Sequence, residues 1–214
     1  MTGALTAAAA VSGRPLRECA LVAATVLAGQ LTVGWMNDLV DRRRDRQVGR
    51  QDKPVAMDWI DPGTVAFAIA VATLVVVPLS VANGTEAGIA HLGAVASAWL
   101  YNLWFKRTWL SWLPYVVSFG LLPAFLSYGG WGGGWHGDPP TIELTVLAAL
   151  LGIGIHVLNV LPDLVEDRET GMRHLPLRIA LRTGATRLLW ASSIYTLLVG
   201  AGIVWAALTV GLRQ

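Results

Sequence analysis

Charged residues are scarce in this chain of 214 residues, since Asp, Glu, Lys and Arg make up only 14% of it while 54% is hydrophobic. Soluble domains are typically about one quarter charged, so the composition indicates a membrane protein. Cysteine is nearly absent, and the single Cys19 excludes an internal disulfide. No polar linker separates two domains, and no basic leader with a cleavage site marks a signal peptide. We predict one transmembrane domain, residues 1–214, with a small apolar segment at 1–13 before the main region at 14–214.

Long apolar runs are abundant instead. A transmembrane helix needs about 20 mostly apolar residues. Six stretches qualify, at about residues 16–36, 64–82, 86–105, 110–128, 141–161 and 186–209. Pro114 and Pro123 interrupt the fourth, although neighbouring helices can satisfy the backbone groups that proline frees. The fold class predicted is therefore all-α, a polytopic transmembrane helical bundle of six spans, or seven with one further helix upstream.

Basic residues predict the orientation of this bundle. They follow the first, third and fifth spans, at Arg42, Arg43, Arg44, Arg46, Arg50 and Lys53, at Lys106 and Arg107, and at Arg168, Arg173, Arg178, Arg182 and Arg187. The connections at 83–86 and 129–140 contain no Lys or Arg. Because short basic loops stay cytoplasmic, the three basic connections predict a multi-pass protein of the cell membrane with those loops inside. Arg14 and Arg17 precede the first span on the opposite side, and a missing upstream helix would explain them.

One polar pattern occurs twice, each time at the end of an apolar stretch. Its copies are Asn37-x-x-x-Asp41-x-x-x-Asp45 and Asn159-x-x-x-Asp163-x-x-x-Asp167. On a helix, positions i, i+4 and i+8 share one face, so each copy presents a stripe of one amide and two carboxylates. Two facing stripes can hold Mg²⁺, which completes its octahedron with waters and substrate phosphate oxygens. The repeat therefore predicts a magnesium site for a diphosphate substrate at the cytoplasmic face. Pro162 predicts a bend where the second stripe begins.

These motifs resemble those of a known family. NDLVDRRRD at 37–45 resembles the first Asp-rich motif of the UbiA-type membrane prenyltransferases, and NVLPDLVEDRETGMRHLP at 159–176 resembles the second. Tyr101-Asn-Leu-Trp-Phe-Lys106-Arg107 resembles the tyrosine-lysine element of that family. The resemblance runs from about residue 20 to the end. Family members usually have nine transmembrane helices, so it implies that most of the first helix and everything after the seventh are absent here.

The resemblance implies Mg²⁺-dependent transfer of a prenyl group from an isoprenoid diphosphate to a small hydrophobic acceptor, such as an aromatic ring or a quinone precursor. The metal ligands implied are Asn37, Asp41, Asp45, Asn159, Asp163 and Asp167. The side chains expected to bind the diphosphate are Asn37, Lys53, Lys106, Arg107, Asn159 and Arg168. Tyr101, about one turn deeper than Lys106, is expected to face the developing allylic cation, and we assign catalytic roles to both and to the four Asp residues.

Simpler interpretations stay open for single residues. Asp38 or Asp45 can pair with neighbouring arginines at a helix end, and Tyr101 can belong to the aromatic belt. Basic residues can serve topology and lipid headgroup contact. His91 and His156 lie within predicted spans, where an ionisable residue is a functional hypothesis by default. For His156 the alternative to facing the chamber is a neutral buried histidine.

Other functional classes share part of this pattern with prenyl transferases. The first alternative is a membrane terpene cyclase on the same scaffold, and the second is a catalytically incomplete fragment. A secondary transporter would carry acids near the midplane, whereas these acids end the helices on one side. The glycine- and arginine-containing Asp motif of CDP-alcohol transferases is absent from the sequence. Membrane lipid is an expected partner and nucleic acid is not, while the acceptor, the prenyl length and the oligomeric state stay open.

Overall fold

A computed structural model describes residues 1–130 and 139–210, which form helices and turns with no strand in those ranges. The helices are α1 (Thr2–Val11), α2 (Leu16–Gln47), α3 (Pro62–Ala82), α4 (Thr85–Leu103), α5 (Leu113–Gly120), α6 (Leu122–Ser127), α7 (Ile142–Val160), α8 (Leu164–Glu169), α9 (Leu175–Thr183) and α10 (Ala185–Val210). Two 3₁₀ turns, Phe105–Arg107 and Leu161–Asp163, follow α4 and α7. The predicted all-α class is confirmed, while most of the predicted outer connection, 131–138, lies outside the described residues.

Four helical segments in the described ranges are long and apolar enough to cross a membrane. They are Leu16–Gln47, Pro62–Ala82, Ile142–Glu169 and Ala185–Thr209. The other two predicted spans correspond to α4, which has 19 residues, and to the short pair α5 and α6. In that pair α5 ends at Gly120 and Pro123 lies in the first turn of α6, so the predicted fourth span is two helices rather than one. The count of six spans stays a prediction.

α2 joins the first span to the first Asp motif without a break. It begins after Pro15, carries Glu18 in its first turn, and has Arg44 and Arg46 in its last turn. These charges complement the helix dipole at both ends. Gly49, whose φ is 73°, reverses the chain soon after the helix ends. Asn37, Asp41 and Asp45 therefore share one helical face, as the spacing predicts.

The second motif does not form a continuous stripe. α7 ends at Val160, Pro162 lies in a 3₁₀ turn, and the helix resumes only at Leu164. The bend predicted at Pro162 is confirmed, but the expectation that Asn159, Asp163 and Asp167 stand on one helix is wrong. Proline removes a backbone donor and its ring clashes with the preceding turn, so the helical register changes between the first two of these residues.

Close helix contacts hold the bundle around its centre. α2 packs against α1, α3 and α4, and α7 packs against α5 and α10. A Cβ atom added at Gly152 of α7 would lie 2.5 Å from the Tyr115 carbonyl oxygen of α5, and one added at Gly154 would overlap Thr196 Oγ1 of α10. Only glycine permits these approaches, as expected for small residues between membrane helices.

Arg14 has a structural role that its position in the sequence did not reveal. Its guanidinium donates hydrogen bonds to the carbonyl oxygens of Leu126 and Gly129 at the end of α6, the second at 2.7 Å. Terminal carbonyls lack partners within their own helix, so a cation there is stabilising. This contact accounts for one of the two positive charges that did not fit the orientation rule.

Candidate active site

A cavity of about 360 Å³ lies among α2, α4, α5 and α7. Much of its wall is apolar, with Val33, Ala98 and Phe119 among the lining residues. Asp41 and Val26 lie near the two ends of the stretch of α2 that lines it. At 1.5 Å per residue these ends are about 22 Å apart. The cavity is therefore long, and the Asp motifs lie at one end of it.

The first motif contributes a buried carboxylate that is paired with a lysine. Only 3% of the Asp41 surface is exposed, and Asp45 is equally buried. Lys106, in the turn after α4 and also buried, donates to Asp41 Oδ1 at 2.5 Å and to Asn37 Oδ1 at 3.5 Å. Burial lowers the pKa of the Lys106 ammonium, against the opposing effect of Asp41. The pair places one cation and one anion where two helices meet the cavity.

The three residues of the second motif differ in their contacts and in their burial. Asn159 Nδ2 donates to the Tyr115 hydroxyl at 3.0 Å. Asp163 lies in the 3₁₀ turn and is half-buried, whereas Asp167 of α8 is buried. All three line the cavity. The turn at Pro162 thus still brings both carboxylates to the same end of the cavity as Asp41.

Arg44 connects the two motifs. Its Nη1 donates to Asp167 Oδ1 at 3.1 Å, and its Nη2 lies 3.9 Å from Asp41 Oδ2. Its Nε lies 3.7 Å from Asp45 Oδ1, and this buried nitrogen has no hydrogen-bond partner within the described residues. One guanidinium is therefore shared by three carboxylates from both copies of the motif.

Arg50 ties the connection after α2 to the second motif. Its Nη1 donates to Asp163 at 2.8 Å and to Glu166 at 3.0 Å, while Nε and Nη2 bind the two oxygens of exposed Asp52. These hydrogen bonds raise the pKa of Arg50 and lower that of Asp52 to about 2. Arg50 thus places one positive charge of the first basic connection beside Asp163 and Glu166.

His174 contacts the second carboxylate oxygen of Asp167, the one that Arg44 does not contact. Its Nδ1 accepts the backbone N–H of Leu177 at 3.2 Å, which caps α9. A ring nitrogen that accepts a hydrogen bond in this way is unprotonated, so Nε2 carries the ring proton and donates a hydrogen bond to Asp167 Oδ2 at 2.8 Å. The cap therefore fixes the tautomer, and the carboxylate is oriented by the segment that follows α8. His174 and Met172 also line the cavity, as expected if this loop covers the site.

Aromatic rings form the wall next to the charged end. Tyr101 and Tyr115 meet edge to face with their centroids 5.0 Å apart, and His156 packs against both at 5.7 and 4.8 Å. His156 Nε2 lies 3.0 Å from Ser111 Oγ, and within the described residues its buried Nδ1 has no hydrogen-bond partner. Both tyrosines line the cavity, so aromatic faces or hydroxyls meet its contents beside the carboxylates.

The far end contains another histidine. Ser80 Oγ donates to the Val76 carbonyl at 2.6 Å, so it accepts a hydrogen bond from His91 Nδ1 at 2.8 Å. In a neutral imidazole, Nε2 is then the nitrogen without a proton. A Cβ atom added at Gly29 would lie 3.0 Å from that nitrogen, so glycine makes room for the ring. His91 thus lines the cavity with its ring held by a serine.

Four predicted site residues lie away from the cavity wall in the described structure. Lys53 donates to Asp38 at 2.7 Å, and Asp45 is buried beside Arg44. Arg107 and Arg168 are exposed. Their proposed roles, like those of the residues that do line the cavity, stay predictions.

Four further residues lie at the site although the sequence does not predict a role in it for them. They are Tyr115, Arg50, His174 and Arg44, and the sequence is consistent with a role of Arg44 in membrane topology alone. The only sequence signal for Arg44 is its position three residues after Asp41, on the same helical face. His174 lies in the tail of the second motif, but nothing in that tail indicates which carboxylate it contacts.

The donor set at the charged end fits magnesium in its chemistry. Within residues 1–130 and 139–210 no three His, Cys, Asp or Glu side chains already form a metal-binding group. The donors are carboxylate and amide oxygens, which Mg²⁺ prefers. Five carboxylates lie within 4 Å of three Lys or Arg side chains there, which leaves negative charge in excess. These are Asp41, Asp45, Asp163, Glu166 and Asp167, with Arg44, Arg50 and Lys106.

Long apolar helices around a cavity with one charged end define an integral membrane protein of the polytopic helical class. The model of the UbiA prenyltransferase family matches residues 1–213, and the chain belongs to that family. The match includes residues 1–19, which the motif resemblance did not cover. Comparison with curated proteins and with solved structures gave no match.

Proposed function

We propose that this protein transfers a prenyl group from an isoprenoid diphosphate to a hydrophobic acceptor dissolved in the membrane, and that it needs Mg²⁺. Family membership supports prenyl transfer. The observation that carries the site assignment is that Asp41, Asp163 and Asp167 meet at one end of a cavity with largely apolar walls. An isoprenoid diphosphate has the same division into an anionic head and an apolar tail.

The reaction needs a leaving group that can be neutralised. The C1–O bond of the allylic diphosphate breaks with its electron pair going to the diphosphate, a nucleophilic atom of the acceptor bonds to C1, and the acceptor loses a proton. Bound Mg²⁺ supplies charge neutralisation of the phosphate oxygens. Asp41, Asp163 and Asp167 are the residues that would hold it, with Asn37 and Asn159 as neutral oxygen donors.

Basic and aromatic side chains supply the rest of the chemistry. Lys106 and Arg50 already lie beside the motif carboxylates, where they can contact phosphate oxygens once the anion is bound. Tyr101 and Tyr115 present aromatic rings next to this end, which favours positive charge developing at C1. The apolar walls beyond them exclude water that would otherwise capture the cation.

The active site is proposed to open to the cytoplasm. Arg44, Arg50 and Lys106 belong to the basic connections that the positive-inside rule assigns to that face. Soluble isoprenoid diphosphate would then reach the carboxylates from water while its tail enters the bilayer-spanning part of the cavity.

The test is release of inorganic diphosphate from geranyl, farnesyl and geranylgeranyl diphosphate by the purified protein in lipid, with and without EDTA. Asp41→Ala and Asp163→Ala should each abolish the release. Asp58→Asn is the matched control, because Asp58 is exposed and pairs with Arg46 away from the cavity. Its activity should equal that of the unaltered protein.

Three outcomes separate the candidate functions. Release that depends on Mg²⁺, on both motifs and on an added aromatic or quinone-precursor acceptor supports prenyl transfer. Release that depends on the metal and both motifs but not on any acceptor indicates a terpene cyclase or a hydrolase. No release from folded protein, or release that survives both substitutions, contradicts the proposal.

A further inference from the structure

We infer that Arg44 is the resident counter-ion of the carboxylate site: its guanidinium holds the two Asp motifs together in the metal-free protein, and a divalent cation must displace it. This inference rests on the proposed function, because it concerns the magnesium site of that function. It assigns to Arg44 a positioning role that neither family membership nor the sequence motifs provide.

The geometry singles out Arg44 among the cations of the site. Lys106 contacts the first motif, and Arg50 contacts the second. Arg44 lies within 4 Å of carboxylates from both, with Asp167 at 3.1 Å and Asp41 at 3.9 Å. A cation placed between two acidic motifs is what the sequence predicts for Mg²⁺, and in the described structure the charge in that position belongs to an arginine.

The contacts of Arg44 are poorly matched to its nitrogens, which makes the guanidinium exchangeable. Only the contact with Asp167 lies within hydrogen-bond distance, since Nη2 and Nε lie 3.9 and 3.7 Å from their carboxylates. The buried Nε has no hydrogen-bond partner within the described part of the chain. An unsatisfied buried donor is costly, so this arrangement holds the charges less well than a site built for arginine would.

A displaced Arg44 would have a second use. Its side chain lines the cavity and is 16% exposed, so it can turn toward a substrate without unfolding α2. Planar guanidinium groups bind phosphate oxygens through two parallel hydrogen bonds. The same side chain can therefore neutralise the carboxylates before loading and contact the diphosphate afterwards.

The experiment compares Arg44→Gln with Arg43→Gln, since both remove one positive charge from neighbouring positions of α2 and Arg43 is exposed. Thermal unfolding of each protein in lipid nanodiscs is followed by tryptophan fluorescence against MgCl₂ concentration, at constant ionic strength and without substrate. Arg44→Gln should unfold at a lower temperature than Arg43→Gln in EDTA. Its half-maximal stabilisation should need about tenfold less Mg²⁺, as expected for losing one charged hydrogen-bond competitor.

Each outcome decides between two statements. If both variants respond to Mg²⁺ with the same midpoint, the inference about Arg44 fails while the proposed magnesium site stands. If neither variant nor the unaltered protein is stabilised at any MgCl₂ concentration, both fail. If Arg44→Gln folds only with Mg²⁺ present, the inference is supported. If it folds under neither condition, Arg44→Lys is measured instead. A MgCl₂ concentration for half-maximal stabilisation below that of the unaltered protein supports the inference, and an unchanged concentration overturns it.

Discussion

The buried pair of Asp41 and Lys106 should be strongly coupled, and a double-mutant cycle can measure that coupling. The single variants are Asp41→Asn and Lys106→Met. Each leaves its partner charge buried, with exposed fractions of 3% for Asp41 and 4% for Lys106. Removing one member of a buried ion pair typically costs about 3–5 kcal/mol. Arg44 and Asn37 remain near Asp41, so the lower end of that range, about 3 kcal/mol for each variant, is expected.

The double variant should be much less destabilised than the sum of the single variants, because it leaves neither charge unpaired. Coupling of about 2 kcal/mol or more is therefore expected. The matched control is the pair Asp38 and Lys53, which joins the same helix, α2, to the connection that follows it at 2.7 Å but is about one quarter exposed on each side. Pairs that reach solvent typically contribute about 1 kcal/mol or less.

The assay is reversible unfolding of the protein in mixed micelles by a denaturing detergent, followed by tryptophan fluorescence. The free energy of unfolding is measured without metal for the parent, both single variants and the double variant of each pair. Coupling for Asp41 and Lys106 that is no larger than for Asp38 and Lys53 would show that burial does not decide the strength of these pairs.

Two further predictions concern packing and capping. Gly152→Ala should destabilise the bundle by about 1–3 kcal/mol, because its Cβ atom would lie 2.5 Å from a carbonyl oxygen. The control is Gly200→Ala, whose Cβ atom would meet no atom within 4 Å. It should be neutral or slightly stabilising in the same unfolding assay. His174→Ala should cost about 2 kcal/mol by removing both the cap of α9 and the bond to Asp167, and His174→Asn should recover about 1 kcal/mol by restoring the cap alone. Equal stability of the two His174 variants would contradict the assigned cap, and equal effects of the two glycine substitutions would contradict the close helix contact.

The sequence was sufficient for those features that depend on local pattern. Apolar runs predicted the helical class, and the i, i+4, i+8 spacing placed Asn37, Asp41 and Asp45 on one face of α2. Pro162 predicted the bend, because its effect on a helix is local and covalent. Because of the same bend, Asn159, Asp163 and Asp167 do not form a second continuous stripe. A spacing of four residues places side chains on one face only while the helix continues.

Pairings across the bundle could not be predicted in this way. Arg44 and Asp167 are 123 residues apart in sequence, and their contact depends on how α2 and α8 come together. The charge of Arg44 was consistent with topology alone, and only the described geometry shows that its guanidinium faces both motifs. Likewise the sequence presents Arg14 as an exception to the orientation rule, because it does not show that the guanidinium binds carbonyl groups at the end of α6.

An isoprenoid diphosphate should lie in the cavity with its head at the Asp motifs. The most direct measurement is photolabelling in lipid with a farnesyl diphosphate analogue that carries benzophenone at the end of its tail, followed by mass spectrometry of the labelled peptides. We expect labels near Val26, Val95 and Leu122 at the far end of the cavity, and we expect them to be lost when unlabelled farnesyl diphosphate is added. Labels confined to exposed apolar residues such as Phe67 and Leu197, unaffected by that competitor, would contradict this placement of the diphosphate.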